Sequence, residues 1–125
     1  MRVLLDTQVV VMAYLGEALP RKVQILLEDA WTERVLTSIS LIEVAIKNEK
    51  GALPMAREDV EQAVTDLRLT VIPFTQNHAY RLFGLPAHHH DPFDRMLIAT
   101  ALSEDMPIVS SDRQFKRYRG VRVIW

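Results

Sequence analysis

Acidic side chains in this sequence stand where they could gather around a cation. Four of them come at the ends of apolar segments or in the first turns of expected helices: Asp6, Glu43, Asp94 and Asp112, with Asp91 as a fifth candidate. Carboxylates about 4 Å apart repel by roughly 1–4 kcal/mol at effective dielectric constants of about 80 to 20, so a group of them tends to recruit a cation. Oxygen ligands favour Mg²⁺ or Mn²⁺ over zinc or copper. Such a site can activate a water and stabilise the leaving oxygen when a phosphodiester is hydrolysed.

The composition excludes several other kinds of site. The chain has 125 residues, no cysteine, 15 basic and 16 acidic residues, and a net charge of −1. The lack of cysteine excludes a disulfide scaffold, a thiol nucleophile and a cysteine-based metal cluster. The balanced charge argues against a protein that coats nucleic acid, although a local basic patch remains open. No Walker loop or G-x-G-x-x-G motif indicates a different chemistry.

We expect a cytoplasmic protein without a membrane segment. No apolar run approaches the roughly 20 residues that are needed to cross a bilayer. The opening segment, MRVLLDTQVV, lacks the long apolar core and the small-residue cleavage site of a signal peptide.

Apolar runs and turn residues predict alternating strands and helices. The expected strands are Arg2–Asp6, Arg34–Thr37, Leu69–Pro73, Pro107–Val109 and Val121–Trp125. The expected helices are Thr7–Leu15, Pro20–Trp31, Leu41–Lys50 with Ser40 as N-cap, Arg57–Arg68, Gln76–Phe83, a helix opened by Asp91 and Pro92, and Asp112–Tyr118. This alternation predicts one domain over residues 1–125, a three-layer α/β/α fold with a central parallel sheet of four to five strands. Ligands of such folds bind beyond the carboxyl ends of the strands, where the four acids would meet.

Each acid also has a purely structural interpretation. Glu43 stands three residues after Ser40, which is the spacing of a capping box. Asp94 and Asp112 could simply stabilise the amino ends of helices. Asp6 is harder to explain in this way, because a carboxylate at the end of an apolar strand is costly to bury unless it is paired or bound to a metal. The joint pattern, more than any single residue, favours a functional site.

Four segments of the chain resemble the acidic motifs of PIN-domain proteins. They are LLDT at 4–7, SLIEVAIK around Glu43, HHHDPFDRMLIATAL at 88–102 and VSSDRQF at 109–115. The most specific piece is H-x-D-P-F-D-R. The resemblance covers nearly the whole chain in the right order and spacing. Within the family, the chain resembles the VapC-like toxins of bacterial type II toxin–antitoxin pairs.

The resemblance implies catalytic, metal-binding acids at Asp6, Glu43, Asp94 and Asp112, with the first and third as the core magnesium ligands. It also implies a magnesium-dependent ribonuclease, with Mn²⁺ as a substitute, that cleaves single-stranded or looped RNA. A homodimer and inhibition by a cognate antitoxin protein follow from the same resemblance. One position departs from the pattern, since many close relatives carry histidine where this chain has Gln8.

Basic residues near the carboxyl terminus form the best candidate surface for RNA. The segment Arg113–Arg122 holds five basic residues and no acid, and Arg113, Lys116 and Arg117 are its candidate RNA-binding residues. Tyr118 could stack on a base, and a solvated edge is the alternative interpretation. Arg95 could bind a phosphate or an antitoxin carboxylate, or form a surface salt bridge.

Other polar and aromatic residues have more than one interpretation. For His88–His90 we favour a polar loop beside the site, with one ring touching RNA, over a metal set, and we place His78 on a helix surface. Lys47 is expected to pair with the glutamate one turn before it. Trp31 and the segment Val9–Leu15 could serve a dimer or antitoxin groove, or equally a core.

Two alternative functions remain open from the sequence. A receiver-like phosphoacceptor module also gathers acids and Mg²⁺, but it needs paired acids after the first strand and a lysine after the last. Here Asp6 is followed by Thr7, and the last strand, VRVIW, has no lysine. A catalytically silent PIN fold that binds RNA or protein is the second alternative, and the complete acid set argues against it.

Overall fold

Five parallel strands form the centre of the protein, in a computed structural model that describes all 125 residues. The strands are β1 (Arg2–Leu5), β2 (Glu33–Thr37), β3 (Thr70–Ile72), β4 (Ile108–Val109) and β5 (Val123–Ile124), in the order β3-β2-β1-β4-β5. Leu4 pairs with Val35 on one side and with Ile108 on the other, so β1 is the central strand. Its interior is fully buried and apolar, as is usual for a parallel strand covered on both faces.

Helices cover both faces of the sheet. They are α1 (Thr7–Tyr14), α2 (Arg21–Glu28), α3 (Ser38–Glu49), α4 (Arg57–Asp66), α5 (Gln76–Tyr80) and α6 (Pro92–Glu104), followed by a 3₁₀ helix at Arg113–Arg117. Alternate residues of β1 face opposite layers: Val3 and Leu5 belong to one apolar core and Leu4 to the other. The three-layer α/β/α prediction is therefore confirmed. None of these helices combines the length and apolar character that a bilayer crossing requires.

The second helix ends earlier than predicted because of a local turn. The Asp29 carboxylate accepts hydrogen bonds from the Trp31 backbone N–H at 3.2 Å and from the Thr32 hydroxyl at 2.7 Å. These bonds offer the chain an alternative to further helical turns. The predicted helix to Trp31 therefore stops at Glu28.

The start of α3 contradicts the predicted cap. The helix follows β2 without a loop, and Thr37 caps it by accepting a hydrogen bond from the backbone N–H two residues on. Ser40 lies inside the helix, buried, where its hydroxyl accepts a 2.7 Å hydrogen bond from Thr7. The N-cap prediction for Ser40 is wrong, and the capping-box explanation of Glu43 fails with it.

The central helix α6 begins and packs as expected. The Asp91 side chain caps it by accepting a 2.8 Å hydrogen bond from the Phe93 backbone N–H. The apolar run Met96–Ile98 suggests three core residues; Leu97 and Ile98 are fully buried, whereas Met96 is half-buried.

His78 lies under α6 and not on the surface, which corrects its predicted position. Its ring is 2% exposed; Nδ1 accepts a 3.0 Å hydrogen bond from the Thr75 backbone N–H, and Nε2 lies 2.8 Å from a carboxylate oxygen of Glu104. This arrangement requires the tautomer with the proton on Nε2. The ring joins α5 to the carboxyl end of α6.

Candidate metal centre

The topology brings the predicted acids to one edge of the sheet. Asp6 directly follows β1, and Asp112 follows β4 after a two-residue turn. Glu43 lies in the second turn of α3, which itself follows β2, and Asp94 lies in the first turn of α6. Because all five strands run parallel, their carboxyl ends share this edge.

A cleft of about 350 Å³ opens at this edge, and its walls carry carboxylates from three separate segments: Asp6, Glu43, Asp91 and Asp94. The fourth predicted acid joins them from the side, because ligand atoms of Asp94, Asp112 and His89 all lie within 4.8 Å of one another. The structure thus brings together all four predicted acids, with Asp91 at the rim.

Ser110 contacts two of the acids, the carboxylate of Asp6 and the backbone of Asp112. Its buried hydroxyl donates a 2.6 Å hydrogen bond to Asp6 Oδ2 and accepts a 3.0 Å hydrogen bond from the Asp112 backbone N–H. Burial, and to a smaller extent the negative charges of Glu43 and Asp112, raise the pKa of Asp6 although the Ser110 bond opposes them. The sequence interpretation missed Ser110; its position directly after an apolar strand was the available signal.

Asp94 is the acid of the cleft whose pKa is raised to near neutrality. It is half-buried, and no hydrogen bond is among the main influences on its carboxylate. Burial first, then the charges of Asp91 and Asp6, raise its pKa to about 7. The charge of His89 opposes this rise only in part. A divalent cation would favour the ionised form of Asp94 further, because it places positive charge next to the carboxylate.

Glu43 already has a cationic partner. Lys47 Nζ lies 2.6 Å from Glu43 Oε2, which is the i,i+4 pair that the sequence indicated. The glutamate side chain is 7% exposed and the lysine side chain 45% exposed, so the ammonium lies on the solvent side of the pair. The hydrogen bond to Glu43 raises the pKa of Lys47 and keeps it charged.

His89 is the buried member of the histidine run. Its Nε2 lies 2.8 Å from Asp112 Oδ2 and its Nδ1 lies 3.0 Å from the Tyr118 hydroxyl, while its ring stacks on Phe115 at a centroid distance of 4.8 Å. Both ring nitrogens therefore have protein partners. This is the geometry of a histidine that orients Asp112, and the sequence interpretation did not assign it that role.

The predicted RNA-binding residues fall into two groups. Arg113, Lys116 and Arg117 are exposed on the 3₁₀ helix that Asp112 caps, and none of them pairs with a carboxylate. Arg95 instead donates to two backbone carbonyl oxygens of the preceding loop, at 3.0 and 3.2 Å, so its surface salt-bridge interpretation is wrong and it holds the loop.

Burial bears on three other expectations, and it leaves the groove role of Trp31 and of Met12–Leu15 untested. Tyr118 is 2% exposed and cannot stack on a base from outside, because its ring lies against His89. Trp31 is 88% exposed but lies at the amino end of the sheet, where its carbonyl meets the amino terminus, away from the acids. The segment Val9–Val11 is buried in the core, whereas Gln8 is exposed and lines the cleft.

A second concavity lies between α3 and α4. It has a volume of about 600 Å³ and is lined chiefly by apolar side chains, among them Leu41, Val44, Met55 and Val60. No carboxylate of the acidic cleft lines it. The protein therefore has an acidic cleft and a separate apolar groove.

The acidic cleft suits a hard divalent cation. Its donors are carboxylate oxygens from separate elements, among them a half-buried Asp94 whose pKa is raised by burial and by neighbouring negative charges. Oxygen donors of this kind match Mg²⁺ or Mn²⁺.

Known families and structures offer an independent comparison. The family model described as the PIN domain matches residues 3–121. Among curated proteins, none shows significant sequence similarity to this chain.

Several solved structures share the fold. VapBC2 from Rickettsia felis, bound to a promoter DNA fragment, has a TM-score of 0.74 and 19% identity over 99% of this chain and 98% of that chain. DNA-bound VapBC from Salmonella typhimurium has a TM-score of 0.75 and 20% identity over 99% of this chain and 97% of that chain. VapBC-5 from Mycobacterium tuberculosis, a member of the VapBC family of toxin–antitoxin systems, has a TM-score of 0.61 and 17% identity over 98% of this chain and 97% of that chain.

Proposed function

This chain belongs to the PIN domain family, and from that premise we propose that it is a magnesium-dependent endoribonuclease, the toxin of a type II toxin–antitoxin pair. The observation that carries the proposal is the meeting of four acids from distant segments at the carboxyl edge of one parallel sheet. The similarity of fold to VapBC proteins supports the toxin assignment.

Each acid has a role in the proposal. Asp6 and Asp94 are the core cation ligands, and Glu43 and Asp112 complete the set. When bound, the cation supplies the positive charge that favours ionisation of an attacking water and stabilises the leaving oxygen. Two of the carboxylates are held in place for that chemistry, that of Asp6 by the Ser110 hydroxyl and that of Asp112 by the His89 ring.

The basic 3₁₀ helix supplies the proposed contact with the RNA backbone. Arg113, Lys116 and Arg117 follow Asp112 directly, so a strand that reaches the cleft passes these side chains. Exposed cations without carboxylate partners attract phosphates and release counterions. We assign these three residues to phosphate binding. Arg95 is not included, because its guanidinium binds backbone carbonyl oxygens of the preceding loop.

A cognate antitoxin and a second copy of the chain are the proposed partners, in the cytoplasm. The fold neighbours include toxin–antitoxin complexes, which supports an antitoxin partner. The apolar groove between α3 and α4 is the concavity best suited to an apolar antitoxin segment. A Val60→Glu variant should then lose antitoxin binding while it keeps RNA cleavage, whereas unchanged antitoxin binding would exclude the groove.

RNA cleavage with and without EDTA tests the function. Wild-type protein should cut cellular RNA in Mg²⁺ and not in EDTA, and sequencing of the cut ends identifies the target. Asp6→Asn should reduce cleavage by at least about a hundredfold, because a metal contributes several kcal/mol to such reactions. Asp105→Asn, at the exposed far end of α6, is the matched control and should cleave normally.

A catalytically silent PIN fold is the competing proposal. It predicts that Asp6→Asn and wild-type protein behave alike in the same assay. Equal rates for the two proteins in Mg²⁺ would remove the ribonuclease assignment.

A further inference from the structure

Lys47 is the one basic side chain on the walls of the acidic cleft. Ten residues line the cleft, and four of them are acids: Asp6, Glu43, Asp91 and Asp94. The other five are neutral, so Lys47 offers the only positive charge on the walls to a polyanion that enters the cleft.

The ammonium group of Lys47 is placed to face an incoming ligand. It lies 2.6 Å from Glu43 Oε2, which is its one hydrogen-bond partner. An ammonium has three donors, so two of them remain free. Because Glu43 is nearly buried and Lys47 is almost half exposed, a ligand in the cleft can reach the pair from the lysine side.

An RNA phosphate needs such a cation at this place. The lining carboxylates outnumber the two charges that a single divalent cation would cancel. The phosphate would then approach a wall that is still negative. A positive charge on that wall reduces the electrostatic repulsion between the wall and the phosphate. The basic 3₁₀ helix follows Asp112 at the side of the cleft, whereas Lys47 lies within it.

We propose that Lys47 binds a non-bridging oxygen of an RNA phosphate beside the cation site, and that its ammonium rests on Glu43 when no RNA is bound. The inference rests on the proposed ribonuclease function and adds a substrate-binding residue to it. It predicts opposite effects of the lysine charge on the two ligands: the charge competes with a metal cation and attracts RNA.

Three variants separate this role from a structural one. Lys47→Met keeps most of the stem and removes the charge, and Lys47→Arg keeps the charge. Arg57→Met is the matched control, because it breaks an i,i+4 pair on α4 in which Arg57 Nε lies 2.7 Å from Glu61. Mn²⁺ affinity is measured by calorimetry without RNA, and RNA affinity by anisotropy of a fluorescein-labelled RNA in Ca²⁺.

Lys47→Met should bind RNA about tenfold more weakly, as expected for the loss of one charged hydrogen bond. Its Mn²⁺ affinity should be equal to or higher than that of the wild type, and Lys47→Arg and Arg57→Met should bind RNA almost normally. A parallel loss of Mn²⁺ and RNA affinity would show that Lys47 acts only by orienting Glu43. Unchanged RNA affinity of Lys47→Met would also overturn the proposal.

The same measurements distinguish this inference from the proposed function. A wild-type protein that binds RNA through Lys47 and never cleaves it would overturn the ribonuclease assignment alone. Cleavage of RNA by the wild type, with equally fast cleavage and equal RNA affinity in Lys47→Met, would overturn the lysine assignment alone. A wild-type protein that neither binds nor cleaves RNA contradicts both.

Discussion

The carboxylates of Asp6 and Asp94 could bind a cation, and their ionised forms are unfavourable without one. Both have raised pKa values, first because of burial and then because of nearby negative charges. The sequence identified these acids because their types and positions relative to strands were visible. It did not identify Ser110 as the partner of Asp6, because a serine after a strand is usually a turn residue and the pairing across 104 residues is visible only in the fold.

Asp94→Asn should stabilise the metal-free protein while it removes metal binding. The amide keeps the shape and eliminates the repulsion with Asp91 and Asp6. Since Asp94 is only half-buried, we expect a modest rise in Tm of about 1–4 °C. Thermal unfolding in EDTA measures this, and a second scan in Mg²⁺ should raise the Tm of the wild type only. If Asp94→Asn were less stable than the wild type in EDTA, the proposed repulsion of Asp94 by the two other carboxylates would be contradicted.

The same residue predicts a pH dependence. Asp94 has a pKa of about 7 in the folded protein against an ordinary value of 3.8. The folded state therefore holds this proton more tightly than the unfolded chain does, so the metal-free protein should lose stability as the pH rises from about 4 to about 7. The difference in Tm between wild type and Asp94→Asn should widen over that range in EDTA. A Tm difference that stays constant over this pH range would argue against the raised pKa of Asp94.

His89→Phe tests whether the histidine orients Asp112. Phenylalanine keeps the stacking on Phe115 but removes the 2.8 Å contact with the carboxylate and the 3.0 Å contact with the Tyr118 hydroxyl. We expect the variant to remain folded and to bind Mn²⁺ roughly three- to thirtyfold more weakly, a range set by the effect of outer-sphere partners on metal affinity. Calorimetric titration measures the affinity, and His78→Phe serves as a control away from the cleft. Wild-type affinity in His89→Phe would mean that Asp112 needs no such partner.

At the scale of elements, α3 shows what a sequence pattern can and cannot define. The pattern predicted the helix, the paired Glu43 and Lys47, and the strand before it. It placed the N-terminus too late because Thr37 is both the last residue of β2 and the cap of α3. Strand propensity and capping preference overlap at such a threonine, so the boundary depends on the tertiary register.

Thr37→Val should destabilise the protein through the loss of this cap. Valine keeps the shape of the side chain, which is fully buried, but cannot accept the hydrogen bond from the Ile39 backbone N–H. The free energy of unfolding should fall by about 0.5–2 kcal/mol. Urea unfolding measures the change, and Thr65→Val, on the exposed surface of α4, should alter it far less. An equal effect at both positions would mean that the cap contributes nothing.

At the scale of the whole molecule, alternation of strands and helices predicted a parallel sheet but not its order. The central position of β1 follows from pairing on both sides, which no local pattern encodes. Buried polar residues were likewise missed. Arg34 is 5% exposed and donates to backbone carbonyls that include those of Leu67 and Asp29, at 2.8 and 2.7 Å. Such partners come together only when the fold is complete.

The distribution of charge over the molecule predicts how RNA affinity depends on salt. Replacing both Lys116 and Arg117 by alanine should weaken RNA binding and reduce the slope of log K against log salt by about 1.4, or about 0.7 per phosphate contact. Anisotropy titrations at several salt concentrations measure the slope. The matched control replaces Arg21 and Lys22, which are exposed on α2. Equal slopes for the two double variants would assign RNA binding to net charge and not to the 3₁₀ helix.

Anomalous diffraction from crystals that contain Mn²⁺ tests the geometry of the acidic cleft most directly. We expect a peak within bonding distance of carboxylate oxygens of Asp6 and Asp94, and no such peak in crystals of Asp6→Asn. A cleft without a peak, or a peak that survives the substitution, would contradict the assignment of these acids as the cation ligands.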